Sequence, residues 1–262
     1  MSKGQLNSTG IDLMKKTKLA VTTLISIAVV GVIAFLAISP AALERDAPRD
    51  LPWALPDYRN AHTQWEVGSD GRIYAEVEHF FLEGISPAMV AWFYQQLPIS
   101  TVELNGTVYP LYHIFHPVGH GRIRVVEGAP DGSPGMAQGA TIMREEWFGP
   151  YDSRGTARMV EFSNDGMLAI PIAAGLEIGQ VRHIYHAENG GTAYKVQAVI
   201  GSDLPVIGPI LNWFIRTQVF HPAMMALWQQ HQIEEVASLQ FFLAELYAQR
   251  GGQNHYVLKI PD

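Results

Sequence analysis

The sequence predicts an α+β fold: an antiparallel β-sheet curled around one long C-terminal helix, preceded by a single transmembrane helix near the N-terminus. Three observations predict it. Residues 19–39, "LAVTTLISIAVVGVIAFLAIS", carry no charge, and a run of that length is what an α-helix needs to cross a hydrocarbon core. Residues 100–201 are short apolar runs cut by Gly, Asn, Asp and Pro, the pattern of a strand meander. From Pro222 to the Gly251-Gly252 stop, apolar positions recur at spacings of three and four, which marks one long amphipathic helix.

Composition narrows the chemistry. The chain has 262 residues, 48% hydrophobic and 16% charged, enough for one sizeable core without requiring two domains. It has no cysteine, which excludes disulfides, thiolate nucleophiles and cysteine-held metal sites. Metal chemistry must therefore rest on His, Asp and Glu. With the four Lys and one Asp of residues 1–18 set aside, the 18 basic and 25 acidic residues fall to 14 and 24, about −10 net. A body that acidic is a poor partner for nucleic acid.

Taken in order, residues 1–18 read as a cytoplasmic segment, since Lys15, Lys16 and Lys18 precede the apolar run and positive charge stays inside. Residues 19–39 are the membrane anchor, with the body outside. The alternative is a signal segment cleaved at Ser39-Pro40-Ala41, leaving a secreted or periplasmic protein. Residues 40–60, punctuated by Pro40, Pro48, Pro52 and Pro56, are a Pro-rich linker, extended or lying as an arm on the domain. The folded body is expected over 61–262. A hairpin turns at "GSDG", 68–71; a short helix runs from the Ser86 cap and Pro87 to the Pro98 stop. Asn105-Gly106, "SNDG" at 163–166 and "ENGG" at 188–191 are further turns.

The last helix carries the polar anomaly. Its stripe reads Met224, Trp228, His231, Glu235, Leu239, Phe242 and Leu246, so one imidazole and one carboxylate occupy core-type positions. Gln229, Gln230 and Glu234 lie off the line, where they can be solvated; Glu234 faces the wrong way to be a ligand and is expected to be solvated or to support one. A buried carboxylate needs a cation or strong donor, and a His and Glu at i, i+4 supply one by jointly holding a metal. Such a pair is more often a simple surface pair. Other clusters add weight. "YPLYHIFHPVGH", 109–120, reads as a strand and its exit, with Tyr112, Ile114 and His116 on one face and His120 re-aimed by the turn. In "TIMREEWFG", 141–149, alternation lets only Glu145 or Glu146 look inward. "VRHIYHAENGG" adds His183 and His186.

In these pieces, from about Met89 to Tyr247, the chain resembles the 2,4-diacetylphloroglucinol hydrolase and phloretin hydrolase family, zinc-dependent enzymes that cleave the carbon–carbon bond between an acyl group and a phenolic ring. The most diagnostic pieces are the Tyr-rich stretch ending His-Pro-x-x-His and the helix carrying "HQIEEV". The resemblance implies a helix-grip barrel of the Bet v 1 and START type. It implies zinc, with iron or manganese as alternatives, held by His120, Glu146, His231 and Glu235. Tyr112 matches a tyrosine that addresses a phenolic oxygen and takes part in catalysis. His183 matches a histidine at the reacting centre, and Tyr194 a second phenol-binding tyrosine. Two departures bear on the substrate: Gly119 stands where the family often has an acidic residue, and an asparagine of the known pocket is replaced near Ile123.

The expected activity is a retro-Claisen hydrolysis of an acylated polyphenol, with His183 as general acid or base and Tyr112 on a ring hydroxyl. Trp92, Phe115, Trp147 and Trp228 are candidates to line an aromatic pocket, though such residues are more often only core. The expected partners are a small aromatic or polyketide substrate and, through the N-terminal helix, the membrane; a homo-oligomer stays open. The competing reading is a membrane-tethered helix-grip carrier of a hydrophobic or aromatic ligand, without catalysis.

Overall fold

The computed structural model describes residues 14–23, 25–26, 42–173, 175–252 and 254–259. The chain divides into two units, Met1–Ala41 and Ala42–Asp262.

The expected membrane span is corrected in the first unit. No helix among the described residues is long and apolar enough to cross a membrane. The described residues of the 19–39 segment, 19–23 and 25–26, are helical. The rest of the segment, and the cleavage position at Ser39-Pro40-Ala41, lie outside the described residues. The membrane partner and the single-pass placement rested on that span and are corrected with it.

In the second unit, β1 (His62–Val67) and β2 (Ile73–Glu78) form the first hairpin, followed by the short β3 (Leu82–Glu83). Helix α1 (Pro87–Gln96) starts where the Ser86 hydroxyl accepts the Met89 N–H at 3.3 Å, with Pro87 at its first position. Strands β4 (Thr101–Leu104) and β5 (Thr107–Pro110) meet at Asn105 and Gly106, whose φ angles of 51° and 79° make the tight turn that Asn-Gly favours. A five-residue helix α2 (Leu111–Phe115) leads into the meander: β6 (His120–Glu127), β7 (Thr141–Phe148), β8 (Tyr151–Ser163), β9 (Gly166–Ala173), β10 (Leu176–Glu177), β11 (Gly179–Glu188) and β12 (Gly191–Ile200). Helix α3 (Gly208–Phe214), the long helix α4 (Met225–Ala248) and β13 (His255–Leu258) complete the chain.

The main sheet runs β1-β2-β12-β11-β9-β8-β7-β6, antiparallel throughout, with β3 on β12 and β10 on β9. Helix α4 touches β2 near one end of that order and β7 near the other. A flat sheet of eight strands spaced about 4.8 Å apart cannot reach one helix from both ends, so the sheet curls around α4 in a helix-grip arrangement. A second sheet, β13-β4-β5, includes the parallel pair β13–β4, which no local sequence signal marks.

The whole predicted stripe of α4, from Met224 through His231 and Glu235 to Leu246, is buried. One off-stripe expectation is corrected. Gln229 is buried and not solvated, because its amide donates to the Gln64 carbonyl at 2.9 Å and the Glu76 carbonyl at 3.2 Å, joining α4 to the β1–β2 hairpin. Residues 42–60 lie along the body. The Leu43 N–H donates to Asp152 at 2.8 Å, the Arg49 guanidinium donates to the His120 carbonyl at 2.9 Å, and Trp53 stacks on Phe241 at 5.9 Å.

Candidate metal centre

The motif "YPLYHIFHPVGH" folds otherwise than alternation predicts. Pro110 ends β5, and Leu111, Ile114 and Phe115 are buried at helical spacing, so α2 replaces the expected strand. Tyr112 therefore reaches inward from a helix. His116 is back in extended conformation, and residues 117–119 turn the chain so that His120 opens β6, fully buried.

His120 is fixed on both sides. Its Nδ1–H donates to the Tyr112 carbonyl at 2.7 Å, and its ring stacks on that of Tyr112 at 3.8 Å and 11°. With the proton on Nδ1, Nε2 presents a lone pair inward. Across the β6–β7 register, His120 sits opposite Glu146. Glu146 faces the interior, whereas Glu145 points to the other face and accepts from Arg154 at 2.9 Å. From α4, His231 and Glu235 complete the group one helical turn apart.

His120, Glu146, His231 and Glu235 are all buried and offer four ligand atoms lying within 4.8 Å of one another. His120 Nε2 is 3.0 Å from His231 Nε2 and 3.2 Å from Glu235 Oε2, and the latter pair is 3.6 Å apart. These separations bracket the ~3.3 Å between ligands that sit 2.0–2.1 Å from a tetrahedral zinc ion. Two inward-facing imidazole nitrogens repel unless a proton or a cation lies between them. Two imidazoles and two carboxylates also suit a divalent ion of the zinc, iron or manganese type. The donor set fits a metal.

The electrostatics agree. Burial, with His116 adding to it, holds the His120 and His231 imidazoles well below their ordinary range, so both are neutral and able to ligate. Burial pushes the Glu235 carboxyl up to about 8, against the opposing pull of Arg144 and of the Gln232 amide, which donates to Glu235 at 2.7 Å.

Surrounding groups set the positions of the four. The Tyr112 hydroxyl donates to Glu146 at 2.5 Å, and Arg144, two residues away on the same face of β7, pairs with the other Glu146 oxygen. His116 stacks on His231 at 4.1 Å; its Nδ1 accepts the Gly119 N–H at 2.8 Å, and its Nε2–H donates to Glu234 at 3.0 Å. Glu234 is thus a support and not a member of the four. A Cβ on Gly119 would lie 2.6 Å from two atoms of the His231 ring. Glycine at this position is what lets the histidine approach.

A second polar group occupies the same interior. His183 on β11 is buried, its Nδ1 is 2.5 Å from the Tyr194 hydroxyl on β12, and that hydroxyl is 2.7 Å from the Tyr94 hydroxyl on α1. Burial lowers His183 to about 3, so it is a neutral imidazole. The Glu235 charge reaches the phenols of Tyr94, Tyr112 and Tyr194, helping burial to keep all three protonated. His186 is exposed beside Glu188. Of the four aromatic candidates, Phe115 packs against His120 at 5.7 Å; Trp92 packs edge-on to Tyr247 and Tyr256, Trp228 edge-on to Phe220, and Trp147 lies under Arg45.

Sequence reasoning missed Arg144, Tyr94, the supporting role of His116, and Gln232, while Glu234 takes the supporting place it was expected to take. For Arg144 a signal existed: residues two apart on a strand share a face, so an inward Glu146 implies an inward Arg144.

No protein-family model matches the chain, and no curated protein matches it. Among solved structures, the KanY protein is similar over 65% of this chain and 95% of its own, at 10% identity and a TM-score of 0.42. Protein Ms6760 from Mycobacterium smegmatis is similar over 66% and 95%, at 10% identity and 0.39. Ara h 8.0201 is similar over 69% and 99%, at 14% identity and 0.35.

Proposed function

We propose that the protein is a metal-dependent hydrolase, using zinc, that cleaves the carbon–carbon bond between an acyl group and a phenolic ring. The observation that carries this reading is the buried His120–Glu146–His231–Glu235 group sharing one interior with the His183–Tyr194–Tyr94 hydrogen-bond chain. A carrier of apolar ligands gains nothing from four buried metal-type donors beside a proton-conducting set.

When bound, zinc supplies Lewis acidity toward oxygen. The chain's own groups do the rest. In the overall reaction the bond between carbonyl carbon and ring carbon breaks; the elements of water divide, hydroxide to the acyl carbon and a proton to the ring carbon, giving a carboxylic acid and the freed phenol. His183, neutral and hydrogen-bonded through Nδ1, takes up a proton on one nitrogen and releases one from the other, so it can serve the ring carbon. Tyr194 and Tyr94 hold that imidazole in orientation and offer hydroxyls to a ring oxygen. Tyr112, kept protonated by burial, donates to Glu146 or to a ring hydroxyl that takes its place.

The test is zinc quantification of the full chain followed by assay of carboxylic acid release from monoacetylated phloroglucinol. One equivalent of zinc is expected, with turnover lost on chelation and His183→Gln lowering kcat by ~100-fold or more. Absence of stoichiometric zinc, iron or manganese sinks the reading, and so does a metal-loaded protein that releases no acid from any acylphenol.

A further inference from the structure

Two side chains beside this chain, the half-buried His79 and the buried Tyr185, are used by neither the metal donors nor the proton path. Ile73, Ala75 and Val77 of β2 face inward, and His79 continues their alternation, its ring 4.5 Å from that of Tyr194. Tyr185 on β11 sits directly opposite Tyr194 in the β11–β12 register, its ring 5.1 Å away. His79 and Tyr185 therefore flank Tyr194 from the two strands on either side of β12. Both ring nitrogens of His79 and the Tyr185 hydroxyl are sealed from solvent, and among the described residues none of the three has a hydrogen-bond partner. Folded proteins satisfy most buried polar atoms. Three unsatisfied ones around a single tyrosine are hydrogen-bonding capacity that the chain itself does not use.

We propose that His79 and Tyr185 are specificity-determining residues that hydrogen-bond ring hydroxyls of the bound substrate on either side of the Tyr194 phenol. The inference rests on the hydrolase reading for where the ring lies. Its own content is which residues read the ring's oxygens, and which oxygen type they accept.

The pairing capacities select the group. Burial lowers His79 to about 3, with His183 adding to the effect, so the ring is neutral with one donor and one acceptor nitrogen. Burial also raises Tyr185, leaving its O–H both donor and acceptor. A hydroxyl can donate to an imidazole nitrogen and accept from a phenol. A keto or carboxylate oxygen only accepts, and would leave the acceptor nitrogen of His79 unmatched.

The experiment is titration calorimetry on the zinc-loaded full chain with phloroglucinol, which has three ring hydroxyls, and phenol, which has one. Phloroglucinol is expected to bind more tightly. Tyr185→Phe and His79→Phe should each weaken phloroglucinol by about tenfold, the loss of one buried hydrogen bond, leave phenol unchanged, and leave the melting temperature the same or higher. Wild-type affinity for phloroglucinol in both variants overturns the proposal, as does a wild-type protein that binds phloroglucinol no better than phenol. Hydrolysis separates the two readings: altered binding in the variants with no acid release counts against the hydrolase alone, and unchanged kcat/KM on acylphloroglucinol in both variants counts against this inference alone.

Discussion

The two ends of the interior are built on opposite rules. Around His120, each of the four donors has a hydrogen-bonding or stacking partner that fixes its direction: the Tyr112 carbonyl, Arg144, Gln232, and His116 with Glu234 behind it. Around Tyr194, three buried polar atoms have no partner among the described residues. On the proposed function, the contrast says what each end would be for. A metal ion is small and demands fixed donors, so its supports belong to the protein; a ring with several oxygens brings its own donors and acceptors, so the protein leaves the matching capacity open. The supports at the first end hold its donors in place without ligand, whereas the second end leaves its polar atoms unpaired and costs stability until the ligand arrives.

The comparison breaks most visibly if a donor is removed. Glu235→Gln keeps the shape and a neutral group in a site where the carboxyl is held near 8; it should leave the fold intact and weaken zinc by more than ~100-fold, beyond the 10–100-fold seen for supporting residues, as read by chelator competition. Next in size is Gly119→Ala. Its new Cβ falls 2.6 Å from the His231 ring, so overpacking should cost about 1–3 kcal/mol in denaturant unfolding and weaken zinc about tenfold or more. A Gly119→Ala protein with wild-type zinc affinity would mean that His231 is free to move.

The Tyr194 end should show itself in acid. His79 and His183 are neutral in the fold down to about pH 3, while an unfolded histidine titrates near 6.5. Between these values the unfolded chain binds more protons, so stability is full above ~6.5 and falls as pH drops toward 3, with a slope approaching ~1.4 kcal/mol per pH unit for each histidine. Unfolding curves of His79→Phe should lose one histidine's share of that slope; an unchanged slope would place the ring in contact with water. The smallest effect is Tyr185→Phe without ligand, a gain of about 1 kcal/mol from deleting an unsatisfied hydroxyl, seen as a raised midpoint in the same curves.

Half of the candidate metal group was legible in the residues themselves. His231 and Glu235 stand out against an apolar 3.6-residue stripe, whereas alternation left Glu145 and Glu146 open and only the family resemblance pointed to His120 and Glu146. The curled antiparallel sheet followed from its turn residues. Tyr112 was misplaced onto a strand because five residues are too few for a helical period to declare itself. Gln229 was misjudged because its partners, two backbone carbonyls of the first hairpin, lie more than 150 residues away. His79 and Tyr185 gave no signal, since what distinguishes them is the lack of a partner, and only the packed interior reveals that. The membrane span read from the apolar run of residues 19–39 does not appear among the described residues.

The arm over residues 42–60 adds the dimension of time. It is fastened at Asp152 and behind His120, across separations of 109 and 71 residues, and contacts so distant in the chain close late in folding. The Arg49 guanidinium donates to the Pro117 and His120 carbonyls, so the backbone that carries His120 is braced only once the arm has docked, and Arg49→Ala should slow that last step of refolding more than the steps before it.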